Sequence, residues 1–325
     1  MVGKKTIGVL TSGGDAPGMN TALRAIVRTS IFYGNKIFGI KRGFQGLIED
    51  DFIELDLSSV SGIIKEGGTF IQTARCDEFY KEDGRTKAYD NLKKHGIDTL
   101  IVVGGDGSFK GLHALITEHP VKGIGVSGTI DNDLYGTDYT IGFDTAVNTA
   151  LEAIDKIRDT AKSHSRLFIV EVMGRTSGHI ALHAGIGGGA EEILVPETYS
   201  DIEKLCKKLE AGQKRGKNSS IIVLSEGDEA GNAFKLKEKI EKYINWEIRL
   251  SVLGHQQRGG SPTAFDRMLA SRLGYGAVMA AMADENDKMV GIVNNELKLT
   301  PLEETYTIKK KINNEFIKMA EILAT

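Results

Sequence analysis

The stretch GTIDNDLYG, residues 128–136, sets two aspartates one residue apart in a polar segment with glycine at each end. Asp, Asn and Gly are turn formers, because short polar side chains bond nearby backbone groups, so an acidic turn is the plain reading. The same residues suit chemistry. If residues 129–133 run extended, Thr129, Asp131 and Asp133 project to one side and Asn132 to the other. Two carboxylates that close repel, and one gains proton affinity unless a cation or hydrogen-bond donors compensate. An ionised Asp131 with donors around it accepts a proton from a substrate hydroxyl, and Asp133 meets a metal directly or through water. Thr129 adds a hydroxyl donor for a phosphoryl oxygen. A positioned base, a metal and donors to the moving group are the parts that phosphoryl transfer requires.

Gly104-Gly105-Asp106-Gly107-Ser108 supplies a complementary set. Paired glycines after an apolar run let a ligand come close to backbone, and Asp106 puts a carboxylate in the same place. Magnesium bound to a polyphosphate takes one or two carboxylates together with phosphate oxygens and water. The alternative for Asp106 is the N-cap of a helix in GSFKGLHALIT. Gly13 and Gly14, ahead of a helix beginning near Pro17, either aim N–H groups at a phosphate or form a plain strand-to-helix turn. Guanidinium forks match phosphate oxygens, so Arg75, Arg166, Arg175, Arg249 and Arg258, with His255, are candidates to hold phosphates. Each arginine taken singly also reads as a solvated surface charge. Glu226, in SEGDE, is placed to accept from sugar hydroxyls or is an exposed loop acid. Cys76 and Cys206 read most simply as structural.

Elements must position these residues. Short, largely continuous apolar runs recur as TIGVL, TLIVVGG, KGIGVSG, LFIVEVMG, EILVPE, SSIIVLSEG, EIRLSVLG and MVGIVNN, the pattern of strands buried on both faces of a parallel sheet. Stretches with helical spacing lie between several of them, such as MNTALRAIVRTSIFYG, FDTAVNTALEAIDKIRDTAK and DIEKLCKKLEAGQKRG. Alternation of this kind predicts an α/β fold with doubly wound, mostly parallel sheets. Ligands of such sheets bind beyond the carboxyl ends of the strands. TSGGDAPG, GGDGS, SGTIDND, MGR, SEGDE and GHQQRGG all follow apolar runs and are expected at such ends.

The 325 residues exceed what one core usually serves, which predicts two domains, although no Pro/Ser-rich linker marks the boundary. An apolar fraction of 41% with 26% charged residues is that of an ordinary soluble protein. A net charge of −3 gives no general footprint for nucleic acid or an anionic membrane, so positive charge for an anionic substrate must be supplied locally. Two cysteines suit a reducing compartment, and no run approaches a membrane span or a signal peptide, so the expected location is cytoplasmic.

Taken in series, TSGGDAPGMN (11–20), GGT (67–69), GGDGS (104–108), GTIDND (128–133), DYTIGFDTA (138–146), VEVMGR (170–175) and GHQQRGGSP (254–262) resemble the ATP-dependent 6-phosphofructokinase family in its compact bacterial form. GGDG alone also occurs in NAD kinases and lipid kinases; TIDND, MGR and HxQRGG in series carry the identification. The resemblance implies a glycolytic, magnesium-dependent kinase of fructose 6-phosphate with its active site in a cleft between two domains. The ATP domain would take residues 1–138 and 251–302, and the sugar-phosphate domain residues 139–250 and 303–325.

Carried over residue by residue, the resemblance gives ATP to Gly14, Arg75, Cys76, Gly105, Asp106, Gly107 and Ser108, and Mg²⁺ to Asp106 and Asp133. Asp131 is the base for the 1-hydroxyl, assisted by Thr129, Arg75 and Arg175. Met173, Gly174, Arg175, Glu226, His255 and Arg258 meet the sugar phosphate. Arg166 and Arg249 do so from a neighbouring subunit of a homotetramer. An effector cleft for ADP or phosphoenolpyruvate would use Arg24, Arg28, Arg158, Glu191, Arg215 and Lys217. Leu57 replaces an arginine of that cleft and Gly62 an aspartate, which puts regulation in doubt. Two smaller departures are Gln72-Thr73 for Gly-Ser and Ser127 for a proline. Gly107 and Gly128, where pyrophosphate users carry Asp and Lys, favour ATP. The rival readings are a kinase of NAD or a lipid and a non-catalytic nucleotide sensor.

Overall fold

A computed structural model describes residues 4–164 and 166–324, and in it the chain divides into two compact units. The first holds residues up to Thr129, Leu134–Asp144 and Arg258–Lys310; the second holds Ile130–Asp133, Thr145–Gln257 and the chain from Lys311 on.

A seven-stranded sheet forms the first unit, in the order β11-β10-β5-β4-β1-β2-β3. Its strands are β1 (Thr6–Thr11), β2 (Lys36–Ile40), β3 (Phe52–Glu54), β4 (Thr99–Gly104), β5 (Lys122–Ser127), β10 (Lys288–Val293) and β11 (Glu296–Pro301). The inner strands pair in parallel, with Val9 opposite Ile101 and Val103 opposite Val126. Only the edges, β3 and β11, run antiparallel. Helices α1 (Met19–Phe32), α2 (Gly43–Ile48), α3 (Glu82–Lys94), α4 (Asp106–Glu118), α9 (Ala264–Met282) and α10 (Leu302–Thr307) accompany this sheet. All six residues of β4 are buried, as covering on both faces demands. Residues 303–310 stay with this unit because α10 packs on α4.

The second unit is built on a four-stranded, all-parallel sheet in the order β7-β8-β6-β9. Its strands are β6 (Leu167–Val172), β7 (Glu192–Leu194), β8 (Ser220–Ser225) and β9 (Ile248–Val252). Its helices are α5 (Phe143–His164, whose first two residues belong to the first unit), α6 (His179–Gly187), α7 (Ile202–Lys214), α8 (Ala233–Ile240) and α11 (Asn314–Leu323). Leu167, Ile169, Ile222, Leu224, Leu205, Leu236 and Trp246 share its core. Asp201 caps α7 by accepting from the Lys204 N–H at 3.0 Å, and Asn232 caps α8 in the same way at 3.1 Å.

All eight apolar runs form strands. The strands not anticipated are β2, a short run, and the edge strands β3 and β11; four of the six β11 residues are exposed.

Phe109 of α4 is fully buried, and it fits because Gly125 of β5 has no side chain: a Cβ there would lie 2.7 Å from the ring. The ring supports the start of α4 on the sheet. Phe109→Ala should cost about 3–5 kcal/mol and lower the thermal unfolding midpoint. A wild-type midpoint would remove Phe109 from the core.

Candidate active site

Three strand ends of the first unit bring glycine loops together. The Ser12 N–H donates to the Val103 carbonyl at 3.0 Å and the Gly128 N–H to the Gly104 carbonyl at 2.8 Å, so the loops after β1, β4 and β5 are laced side by side. Gly13 has φ +82°, the left-handed region that favours glycine. A Cβ on Gly105 would sit 3.7 Å from the Thr129 side chain. Gly107 faces open space, with no protein atom within 4 Å of where a Cβ would be. Asp106 is exposed in the first turn of α4, and the N-cap is Gly105; the N-cap alternative for Asp106 is therefore not what the chain adopts. Ser108 is buried beneath Gly13 and Gly104.

The segment after GGT is tied to the same loops. The Asn20 side-chain amide donates to the carbonyls of Glu66 and Gly67 and accepts from the Phe70 N–H at 2.8 Å. Thr73 donates its hydroxyl to the Gly13 carbonyl at 3.1 Å, and Thr11 donates to the Gln72 carbonyl at 2.8 Å. Gln72 has φ +63°, the left-handed region that a residue with a side chain seldom adopts. Arg75 is exposed beyond this anchor. Cys76 packs its half-buried side chain against the hydrophobic core, and burial pushes the thiol's pKa up. Arg258 lies over Gly14, with Nη1 donating to the Asp15 carbonyl at 3.2 Å; its other N–H groups have no partner among the described residues.

The second unit carries the aspartate. Residues 129–133 do not run extended: Ile130 and Asp131 form a turn, and Asn132 takes φ +52°, a left-handed conformation that Asn tolerates. The expected alternation of Asp131 and Asp133 about Asn132 therefore fails. Asp131 is 2% exposed, whereas Asp133 is half-buried. The Asp131 carbonyl accepts the Ser177 hydroxyl at 3.1 Å, and its Oδ2 stands 3.7 Å from Nε of Arg175. The plain reading was half right: the segment is a turn, but its first carboxylate points inward.

Arg175 is itself constrained. Its φ is +52°, uncommon for a residue with a side chain, and its N–H donates to Oε1 of Glu226 at 2.9 Å. Gly174 precedes it at φ +146°, backed by Ser177, and Gly227 packs against the Arg175 carbonyl, where a Cβ would clash. The MGR and SEGDE loops, at the ends of neighbouring strands β6 and β8, thus fix Asp131, Arg175 and Glu226 together. Met173 is buried beside them, and His255 is exposed after β9. Sequence reasoning missed Ser177 and Asn20; both sit inside quoted or adjoining motifs, but their roles are hydrogen bonds to distant backbone.

Arg166 and Arg249 lie at the opposite end of this sheet. Both clasp Glu247: Arg166 Nε is 2.8 Å from Oε2, and Arg249 holds Oε1. The two guanidinium groups, Arg166's foremost, lower the Glu247 pKa. At ~3.3 Å per residue, the end of β6 before the Arg175 loop lies about 20 Å from Arg166 and about 13 Å from Arg249, which is opposite Phe168. In the same unit, Arg158 donates to the Gly188 and Gly189 carbonyls at 2.6 Å and lies 3.6 Å from Glu191, which also holds Lys217 at 3.0 Å; Arg215 is exposed at the end of α7. Arg24 and Arg28 are one turn apart on α1 of the first unit. Leu57 is exposed, and Gly62 has φ +79°, where glycine is the natural occupant. Among the described residues, no group of three or more His, Cys, Asp or Glu side chains is placed to hold a metal ion by itself. Exposed Asp106 suits a metal that arrives with phosphate oxygens as its other ligands.

The phosphofructokinase family model matches residues 6–281. The chain is 54% identical over 320 residues to the ATP-dependent 6-phosphofructokinase 1 of Thermus thermophilus, covering 98% of this chain and 99% of that protein. It is 52% identical over 320 residues to the ATP-dependent 6-phosphofructokinase of Clostridioides difficile, again covering 98% and 99%. Among solved structures, the phosphofructokinase of Saccharomyces cerevisiae superposes with a TM-score of 0.87 at 36% identity, over 99% of this chain and 48% of that one. The chain therefore spans about half the length of the yeast protein. The pyrophosphate-dependent phosphofructokinase of Marinobacter aquaeolei shares the fold, with a TM-score of 0.84 at 24% identity over 96% of this chain and 86% of that one. The chain belongs to the phosphofructokinase family.

Proposed function

We propose that the protein transfers the γ-phosphoryl group of ATP to O1 of D-fructose 6-phosphate, yielding fructose 1,6-bisphosphate and ADP, the committed phosphorylation of glycolysis. The observation that carries this reading is the buried Asp131 carboxylate facing Arg175, on a turn that directly follows the glycine-laced loop ending at Thr129. Asp131 takes the proton of the 1-hydroxyl as O1 bonds to phosphorus and the bond to the β,γ-bridging oxygen breaks, leaving ADP. Thr129 and the exposed Arg75 and Arg175 donate to the transferring oxygens. Gly14, Gly105 and Gly107 give the nucleotide's phosphates access to backbone N–H groups. Asp106 and Asp133 would hold the Mg²⁺ that accompanies ATP, and the ion would supply neutralisation of phosphate charge there.

Met173, Gly174, Arg175 and Glu226 bind the sugar, and His255 and Arg258 its 6-phosphate. Arg166 and Arg249 lie too far along β6 from Arg175 to share one sugar phosphate with it in the same chain. In this reading they act from a second copy, in the homotetramer with shared sites that the family resemblance implies. The 6-phosphate replaces Glu247 as their counter-ion. Arg158, Glu191, Arg215 and Lys217, with Arg24 and Arg28 of another copy, form a weakened site for ADP or phosphoenolpyruvate. No helix among the described residues is long and apolar enough to cross a membrane; the cytoplasm is the working compartment. A kinase of NAD or a lipid would use GGDGS but leave the Asp131–Arg175–Glu226 arrangement without purpose.

ATP rather than pyrophosphate is the donor. Gly107 leaves open the space a nucleotide needs, and a lysine at 128 would bring its Cβ 2.8 Å from the Met19 methyl and 3.1 Å from Val103, so both would have to shift. Turnover with fructose 6-phosphate should be seen with ATP and not with pyrophosphate. Gly107→Asp meets no protein atom, so it should fold normally yet lose at least about 100-fold in kcat/KM for ATP, or ~2.7 kcal/mol. Equal use of pyrophosphate, or unaltered ATP use by the variant, would contradict this donor assignment.

Subunit sharing is tested by complementation. Arg175→Ala and Arg249→Ala homo-oligomers should each be impaired. Hybrids refolded from the two should regain turnover, because some of their sites hold both arginines. A mixture no more active than the mean of its parents would place both arginines in sites of one chain.

A further inference from the structure

A cavity of about 460 Å³ lies in the second unit between β7, the first turns of α7 and the C-terminal helix α11, lined by no residue to which a functional role is given above. That volume is in the range of small-molecule sites. Buried Leu194 and Leu205 and half-buried Ile317 give it an apolar floor. Its rim is charged, and the charges are not all engaged. Lys208 is held by Glu192 at 2.9 Å, and Asp201 is occupied as the cap of α7. Lys204 on α7 and Glu321 on α11 have no ion-pair partner for their charged groups among the described residues. A cation on α7 and an anion on α11, neither in an ion pair, thus line the rim around an apolar floor. α11, which forms the wall bearing Glu321, has no fully buried residue and is held partly by Phe316 against the His183 ring, with centroids 5.3 Å apart.

We propose that this cavity binds a small zwitterion with an apolar body, of the amino-acid or short-peptide class, with its carboxylate on Lys204 and its ammonium on Glu321. Burial of the apolar body on Leu194, Leu205 and Ile317 supplies affinity, and the two charges fix orientation.

Occupancy is felt beyond the cavity. Ser200, on its lining segment, donates its hydroxyl to Asp228 at 3.0 and 2.9 Å, and its N–H to Glu229 at 2.9 Å. Glu197, on the same segment, accepts the Gly178 N–H with both oxygens, at 3.0 and 3.1 Å. Asp228 lies two residues beyond Glu226, and Gly178 three beyond Arg175. Segment 195–200 therefore braces both loops to which the proposed function gives the sugar phosphate. This coupling rests on that reading; binding in the cavity does not.

The test is calorimetric titration of the intact protein with leucyl-leucine, without nucleotide or sugar. Wild type should bind. Lys204→Met and Glu321→Gln should each weaken binding about tenfold, and Ala320→Trp, which fills the cavity from α11, should weaken it more. Melting of each variant reports folding, and the two surface substitutions keep the test intact should Ala320→Trp misfold. N-acetyl-leucyl-leucine, lacking the ammonium, should bind worse than the parent dipeptide. Absence of binding heat in wild type, or equal binding by all variants, would overturn the site. Tighter binding in Glu321→Gln would overturn the zwitterion in favour of a simple anion. The dipeptide should also shift the KM for fructose 6-phosphate in wild type and not in Ala320→Trp; an unmoved KM alongside intact binding would overturn the coupling alone.

Discussion

A carboxylate removed from water must be met by a cation or by donors, because an uncompensated buried charge is strongly destabilising. The turn at residues 130–132 is organised by that requirement. Asp131 is buried to within 2% of its surface, and Arg175 stands 3.7 Å away as its counter-charge. The rest of the second unit's site follows from holding Arg175 there. Its backbone is kept left-handed, its N–H is tied to Glu226, and glycines at 174 and 227 clear the space on either side. Strain of this kind, of order 1–3 kcal/mol per residue, persists where the surroundings over-determine the conformation, and such places are commonly functional.

A second constraint is electrostatic supply. With a net charge of −3, the chain has no general field to attract a polyanion, so cations must be placed one by one. The structure does this with basic side chains on loops, a helix and a strand, several of them paired with acids. Arg166 and Arg249 share Glu247, and Arg158 and Lys217 share Glu191. Such pairs keep the cations oriented, and any anion that binds there must displace the acid. Arg75 and the outer N–H groups of Arg258 have no acid partner among the described residues. Binding at the open arginines should therefore depend less on displacing an internal acid than binding at the clasped ones.

The strands were legible because burial on both faces imposes continuous apolar runs, and TLIVVG and SIIVLS can hardly be anything else. Strand β11 was not, because its edge position leaves most of ELKLTP exposed and removes the pattern. The glycine loops were legible through their spacing alone. What failed was local geometry that distant contacts decide. Asn132 turns left-handed on a segment whose carbonyl is bonded to Ser177, 46 residues away, so no reading of GTIDND by itself places Asp133. Asp106 looks like a helix cap in sequence, yet Gly105 takes that position and leaves Asp106 in the first turn. Ser177, Glu197 and Asp228 act through bonds of the same long-range sort, without a sequence signature of their own.

The most direct measurement is steady-state turnover of Asp131→Asn with saturating ATP, magnesium and fructose 6-phosphate. Asparagine keeps the shape of the turn and removes the proton acceptor. The account predicts that kcat falls by about 10²–10⁴-fold while the protein stays folded and still binds nucleotide. Turnover at the wild-type rate would show that the carboxylate at position 131 is not the base, and the mechanism built on it would not stand.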